Sequence, residues 1–131
     1  MQTILFVCPH GTAKSVIAAA YCQQLAEQRG LPLHAIFAGT DPDPVIAPAV
    51  AARLQAEGIQ IAPQTPHRAT PEELSSAFRI LSLGCDPNDL PPGSEVIHWD
   101  DVPPASVNLA ATCDDIRARV ERLVETLTPI L

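Results

Sequence analysis

The feature that constrains this chain most is its opening segment, where an apolar run leads directly into a turn and a helix. Residues 4–7 read Ile-Leu-Phe-Val, a continuous apolar stretch typical of a strand buried on both faces. Cys8 follows at once. Ser15 is a candidate helix cap, and a helical apolar pattern runs from Val16 until Gly30 ends it. A strand, a turn and a helix in this order predict the start of a parallel α/β sheet.

Strand-like and helical segments continue to alternate along the chain. Further strands are predicted at residues 34–37, 79–83 and 95–98. Helices are predicted at residues 48–58, at residues 71–77 behind a capping box that starts at Thr70, and from about residue 112 onward. The pattern therefore predicts an α/β fold with a four-stranded parallel sheet, helices on both faces, and one domain spanning residues 1–131.

Composition narrows the possible functions. A formal net charge of -7 argues against nucleic-acid binding, which requires a basic face. No apolar run approaches the ~18 residues of a membrane span, and nothing near Met1 resembles a signal peptide, so we expect a cytoplasmic protein without a membrane partner. The 4 cysteines have no short paired spacing and the histidines share no ligand spacing, so we expect free thiols, no metal and no cofactor.

The turn after the first strand is predicted to bind an anion next to Cys8. Backbone N–H groups of a strand-to-helix turn point at an anion, and the helix dipole adds to the attraction. The same field favours a cysteine thiolate over the thiol, and the Ser15 hydroxyl can donate to that sulfur. Burial of Cys8 as a merely structural cysteine is the alternative. The predicted oxyanion-binding loop, hereafter the anion loop, comprises Pro9, His10, Gly11, Thr12, Ala13 and Lys14.

Residues 4–15 resemble the low-molecular-weight protein tyrosine phosphatase superfamily, which includes the thioredoxin-coupled arsenate reductases. The family pattern is a cysteine, five residues and Arg-Ser, and this chain has Cys8, five residues and Lys14-Ser15. Residues 37–40, Phe-Ala-Gly-Thr, resemble the family's Ser-Ala-Gly-Thr. Residues 48–70 resemble its proline-started helix, its Gly-Ile-Asp-Ile segment and its Pro-Lys-x-Leu-Thr turn. The resemblance covers most of the chain.

The resemblance implies a phosphorylated substrate or an inorganic oxyanion, phosphate or arsenate, as the binding partner. It implies that Cys8 attacks phosphorus and forms a phosphocysteine. The amides of the anion loop would hold the three equatorial oxygens of the transition state. An aspartic acid from a late loop would then protonate the leaving group. His10 has a counterpart in a histidine that is frequent in the family's loop, and we interpret it as bracing the loop rather than as catalytic.

Three positions depart from the family pattern. Lys14 replaces the arginine, so a point charge stands where a planar guanidinium makes two parallel bonds. Gly11 replaces the asparagine that braces the turn. The segment at residues 100–105, hereafter the acid loop, reads Asp-Asp-Val-Pro-Pro-Ala where the family often has Asp-Val-Pro-Asp-Pro. The usual acid is absent, and Asp100 or Asp101 is the candidate replacement.

Cys85 falls where the arsenate reductases have the first of two further cysteines, but residues 86–92 contain no second one. Cys85 is therefore either a structural cysteine or a single redox partner for Cys8. Three functions follow from the sequence. The first is a cysteine-dependent phosphomonoester hydrolase of the protein tyrosine phosphatase type. The second is an arsenate or related oxyanion reductase that uses Cys8 and Cys85. The third is a catalytically degenerate module that binds phosphate or a phosphoprotein.

Overall fold

The computed structural model describes residues 1–60, 65–90 and 95–131. Its strands are β1 (Gln2–Cys8), β2 (Leu33–Gly39), β3 (Arg79–Ser82) and β4 (Val96–His98). They form a 4-stranded sheet in the order β2-β1-β3-β4, and each neighbouring pair is parallel. The predicted α/β fold with a four-stranded parallel sheet is confirmed.

Helices connect the strands. They are α1 (Lys14–Arg29), α2 (Pro48–Ala56), α3 (Pro71–Ser76) and α4 (Leu109–Leu127), with 3-10 turns at Pro87–Asp89 and Thr128–Ile130. Gly30 ends α1 in the left-handed conformation, with φ of 63°. Thr70 and Glu73 form the predicted capping box at the start of α3. Within the described ranges, no helix has the length and apolar character needed to cross a membrane.

The first strand is buried on both faces, as its unbroken apolar sequence predicted. Ile4 and Phe6 belong to the larger core, to which α1 and α4 contribute most of the helical side chains. Leu5 and Val7 point to the opposite face, where Leu74 of α3 packs against them. Side chains of successive residues in a strand point to opposite faces, so helices on both sides of the sheet cover β1 completely.

Two sequence-based boundaries were wrong. Ser15 is not the cap of α1, because the helix begins at Lys14 and the Ser15 hydroxyl lies against Cys8 instead. The last helix begins at Leu109 rather than near residue 112, and Asn108 caps it. Leu109 and Ala111 are only partly buried and Ala110 is exposed, so apolar periodicity does not mark that first turn. Part of the predicted family-like turn, residues 61–64, and residues 91–94 after Cys85 lie outside the described residues.

The strand register assembles the loops of the site at one edge of the sheet. Cys8 pairs with Gly39 and Val7 pairs with Ser82. Because the strands are parallel, their carboxyl ends meet at the same edge, where ligands bind in open α/β sheets. The anion loop, the segment after β2 and the segment after β3 therefore start side by side.

We expect Asn108→Ala to destabilise the protein by about 1 kcal/mol, because the Asn108 side chain accepts a hydrogen bond from the Ala111 amide at the start of α4. Urea unfolding should show a lower midpoint with an unchanged slope. Val107→Ala is the matched control, because Val107 is the exposed neighbour and has no capping contact. Equal midpoints for the two variants would contradict the capping role.

Candidate functional site

The anion loop is held in place by the segment that follows β2. Residues 40, 41, 43 and 47 donate their backbone N–H groups to the carbonyl oxygens of residues 8, 9, 10 and 12, at 3.4, 2.7, 3.0 and 3.1 Å respectively. These bonds satisfy carbonyls along one side of the loop and fix its path. A loop whose carbonyls are bound on the outside can present its N–H groups on the inside.

The N–H groups of the same loop have no partner of this kind. In the described part of the chain, no amide of residues 10–15 donates a hydrogen bond to a protein oxygen. Backbone N–H groups are obligatory donors, and a run of them at the N-terminus of a helix attracts an anion. The arrangement supports the predicted oxyanion-binding loop.

Gly11 and Gly39 let two backbones meet beneath the loop. Gly11 has a φ of 64°, in the left-handed region. A Cβ on Gly11 would lie 3.0 Å from the Gly39 nitrogen, and a Cβ on Gly39 would lie 3.0 Å from the Gly11 nitrogen. Asparagine and glycine are the residues that tolerate left-handed backbone best, which explains why glycine can stand at the family's asparagine position. The close contact with Gly39 is a second reason for a glycine at position 11.

Cys8 lies at the end of β1 with its side chain almost buried, at 5% exposure. Its Sγ is 3.0 Å from the Oγ of Ser15, which is itself fully buried in the first turn of α1. A hydroxyl at this distance can donate a hydrogen bond to a thiolate. The structure therefore brings Cys8 and Ser15 together as the sequence predicted.

Lys14 lies at the mouth of the site but points to the acid loop. Its Nζ donates a 3.0 Å hydrogen bond to the carbonyl oxygen of Val102, whose own side chain is buried in the core. The lysine thereby ties the anion loop to the acid loop. Its predicted role as the oxyanion clamp requires Nζ to turn from Val102 toward the ligand, which a flexible four-carbon stem allows.

Both aspartates of the acid loop are exposed and paired with other residues. The Asp101 side chain is 83% exposed and forms an ion pair of 2.9 Å with Arg119. The hydrogen bond from Arg119 holds the pKa of Asp101 below its usual range, so its carboxyl stays ionised and is a poor proton donor. Asp100 is also exposed and lies 3.9 Å from Nδ1 of His98. Burial of Val102 in the core leaves the acid loop with these two aspartates on its outer side.

A cleft of about 480 Å³ opens above Cys8. Its walls are small and aliphatic, including Ala49, Leu83 and Pro104. The side chains of polar character along the described lining belong to His10, Thr12, Lys14 and Ser106, beside the Cys8 thiol, and no aspartate, glutamate or aromatic residue lines it. The cleft can therefore receive an oxyanion at its base and an apolar group above it.

Cys85 lies behind the site. It is buried, and its backbone N–H donates to Oγ of Ser82 at 3.1 Å. Burial raises the pKa of the Cys85 thiol, and negative charge on Cys8 raises it further, against an opposing effect from the hydroxyl of Ser82. Cys85 follows Ser82, which pairs with Val7 beside Cys8, but Cys85 is not part of the described cleft lining.

Sequence reasoning missed the contacts made by distant segments. One of these contacts is made by Asp43, whose backbone N–H supports the anion loop and whose carboxylate lies 3.6 Å from Nδ1 of His10. Sequence reasoning also gave no indication that Arg119 binds Asp101. The Asp-Pro pairs at residues 41–44 indicate a rigid turn. The contact between Asp43 and His10 follows only from the position of that turn beside the anion loop, which the sequence does not give.

Residues 3–88 match the sequence model of the family described as low molecular weight phosphotyrosine protein phosphatase. A comparison with curated proteins finds no match. The fold is similar to YfkJ from Bacillus subtilis, with a TM-score of 0.86, 21% identity, and coverage of 98% of this chain and 96% of that chain.

Two further solved structures share the fold. A thioredoxin-dependent arsenate reductase from Corynebacterium glutamicum has a TM-score of 0.85 and 22% identity, covering 100% of this chain and 64% of that chain. The YwlE arginine phosphatase from Geobacillus stearothermophilus has a TM-score of 0.76 and 21% identity, covering 98% of this chain and 94% of that chain. At these identities the likeness establishes the shared fold.

We expect Lys14→Ala to weaken the binding of inorganic phosphate by roughly ten- to a hundredfold, because the anion loses a charge-assisted hydrogen bond. Lys14→Arg should bind phosphate at least as well as the wild type, since a guanidinium can make two parallel bonds. Isothermal titration calorimetry measures both.

The matched control for Lys14→Ala is Arg122→Ala, which removes the same charge from an exposed position on α4. If Lys14→Ala binds phosphate as tightly as Arg122→Ala does, the lysine serves only to hold the acid loop.

Proposed function

Because the chain belongs to the low molecular weight phosphotyrosine protein phosphatase family, we propose that it hydrolyses phosphomonoesters through a phosphocysteine on Cys8. One observation carries the proposal. The amides of residues 10–15 have no protein acceptor in the described chain, and they surround the turn that follows a cysteine hydrogen-bonded to a buried serine. A nucleophile beneath a set of oriented donors is the arrangement that phosphoryl transfer requires.

The proposed reaction has two steps. The Cys8 thiolate attacks phosphorus and forms an S–P bond while the bond to the leaving oxygen breaks and that oxygen takes up a proton. Water then attacks the phosphocysteine, releasing inorganic phosphate and restoring the thiolate. The loop amides hold the equatorial oxygens in both steps, and the Ser15 hydroxyl stabilises the sulfur as it leaves.

Lys14 replaces a guanidinium in this cycle and is expected to lower its rate without abolishing it. An ammonium forgoes one of the two parallel bonds that an arginine makes to an oxyanion, which is worth about 1.5–3 kcal/mol. If the loss falls on the transition state, the reaction slows by roughly one to two decades. Inorganic phosphate and arsenate are proposed as further ligands of the same loop. A cytoplasmic location stays a prediction.

The named neighbours act on different substrates, since one is an arsenate reductase and another an arginine phosphatase. The substrate of this chain therefore has to be argued from its own site. The cleft has small aliphatic walls and no aromatic ring among its described lining residues. It therefore fits an apolar leaving group but offers no ring on which an aromatic leaving group could stack.

The position of Cys85, three residues after the Ser82 that pairs with Val7 beside Cys8, supports an oxyanion reductase as the second candidate. Arsenate bound to the anion loop would form an adduct with Cys8, and Cys85 would then displace it as a Cys8–Cys85 disulfide with release of arsenite. An external thiol would have to reduce that disulfide. Burial of Cys85 and the lack of another cysteine in residues 86–92 place this candidate second. The lack of a carboxyl in the described cleft lining keeps a non-catalytic phosphate-binding module as the third candidate.

We expect the wild type to hydrolyse 4-nitrophenyl phosphate and Cys8→Ser to lose all turnover, because the hydroxyl of serine is a far weaker nucleophile than a thiolate. Cys85→Ser should keep most of the activity, since hydrolysis transfers no electrons. Release of 4-nitrophenolate gives the rate.

Two results would replace the proposal. An arsenate-dependent disulfide between Cys8 and Cys85, with thiol-coupled arsenite release that Cys85→Ser abolishes, would make the protein a reductase. Phosphate binding without either reaction would make it a binding module.

A further inference from the structure

The proposed hydrolysis needs a proton for the leaving group, and the cleft holds no carboxyl along its described lining. Asp101 is bound to Arg119, and Asp100 lies beside His98. Alkoxide and phenolate leaving groups gain typically 10²–10⁴-fold in rate from a positioned proton donor. The site therefore either releases the leaving group without a general acid or uses another residue of the cleft as the proton donor.

His10 is the residue of the cleft with the chemistry to supply it. It lines the cleft together with Cys8 and Lys14, and its side chain is 62% exposed. Imidazole is the side chain that most often serves as a general acid, because it exchanges a proton near neutral pH. Its place in the anion loop, two residues after Cys8, puts it on the segment that surrounds the oxyanion.

Asp43 faces His10 through two contacts. Its Oδ1 lies 3.6 Å from Nδ1 of His10, within ion-pair distance. Its backbone N–H also donates a 3.0 Å hydrogen bond to the His10 carbonyl, so the main chain fixes the aspartate beside the histidine. A carboxylate at Nδ1 orients the ring. The ring nitrogen left for a substrate is Nε2.

We propose that His10, oriented by Asp43, is the proton donor to the leaving group in this enzyme, in place of a carboxyl from the acid loop. The role rests on the proposed hydrolase function. As the Cys8 Sγ–P bond forms and the P–O bond breaks, the His10 imidazolium gives its Nε2 proton to the departing oxygen. The neutral ring then takes a proton from the water that cleaves the phosphocysteine, which returns His10 to its starting state.

The charged and ionisable groups around His10 are Asp43 beside its ring and, along the described cleft lining, Cys8 and Lys14. When Lys14 turns from the carbonyl of Val102 to the oxyanion, the two basic side chains of the cleft have separate roles, Lys14 as the oxyanion ligand and His10 as the proton donor.

The test is the dependence of kcat/KM on the leaving group, measured with 2,4-dinitrophenyl, 4-nitrophenyl and phenyl phosphates. A poor leaving group needs the proton most, so His10→Gln should lose a few-fold on the dinitrophenyl ester and about 10²-fold or more on the phenyl ester. Asp43→Asn keeps the backbone bond to His10 and should show the same trend with smaller losses. If His10→Gln disturbs the loop, Asp43→Asn still tests whether His10 donates the proton.

His67→Gln is the matched control, because His67 pairs with Glu73 at 2.8 Å outside the cleft and should show no such trend. Equal losses on all esters in His10→Gln and Asp43→Asn would make His10 a brace of the loop and overturn the proposal. A leaving-group trend in Asp100→Asn or Asp101→Asn in their place would also overturn it. If the wild type shows no Cys8-dependent turnover even of the dinitrophenyl ester, the hydrolase function itself fails and the role of His10 fails with it.

Discussion

The backbone hydrogen bonds between the anion loop and residues 40–47 are the constraint on which the site depends. They hold the carbonyls of residues 8, 9, 10 and 12 on the outer side of the turn. The N–H groups of residues 10, 11 and 13, which share peptide groups with three of these carbonyls, then point the other way and can meet an oxyanion, because the N–H and the C=O of a trans peptide point in opposite directions. The same bonds place Asp43 beside His10, so one set of contacts prepares both the oxyanion site and the proposed proton donor.

Packing beneath the loop makes those bonds possible. Cys8 pairs with Gly39 at the edge of the sheet, and Gly39 and Gly11 approach so closely that a Cβ on either would lie 3.0 Å from the nitrogen of the other. The contact draws the segment after β2 under the anion loop, where its N–H groups reach the carbonyls. On the other side of Cys8, the first turn of α1 supplies Ser15. The nucleophile is therefore surrounded by main-chain atoms and one hydroxyl, so few changes of side-chain rotamer can alter its surroundings.

Local features of the site could be predicted from the sequence, and contacts between distant segments could not. The strand, the anion loop and the helix are adjacent in the chain, so residue type and spacing indicated the Cys8–Ser15 pair. The outward position of Asp101 depends on Arg119, and the direction of Lys14 depends on Val102, far along the chain. Ser15 was misassigned as a helix cap because sequence gives the hydroxyl two local partners, the helix amides and the thiol, and tertiary packing selects the second.

The oxyanion site is tested most directly by titrating the ¹⁵N-labelled protein with inorganic phosphate and following the ¹H–¹⁵N shifts of its amides. The largest shifts should fall on residues 10–15, whose N–H groups have no protein acceptor in the described chain, while the amides of residues 40–47 that already donate to the loop should shift little. Saturation of those shifts should follow one binding curve. Unchanged amide shifts at residues 10–15 would contradict the claim that the loop is an oxyanion site. Shifts spread over amides near positively charged side chains elsewhere would also contradict it.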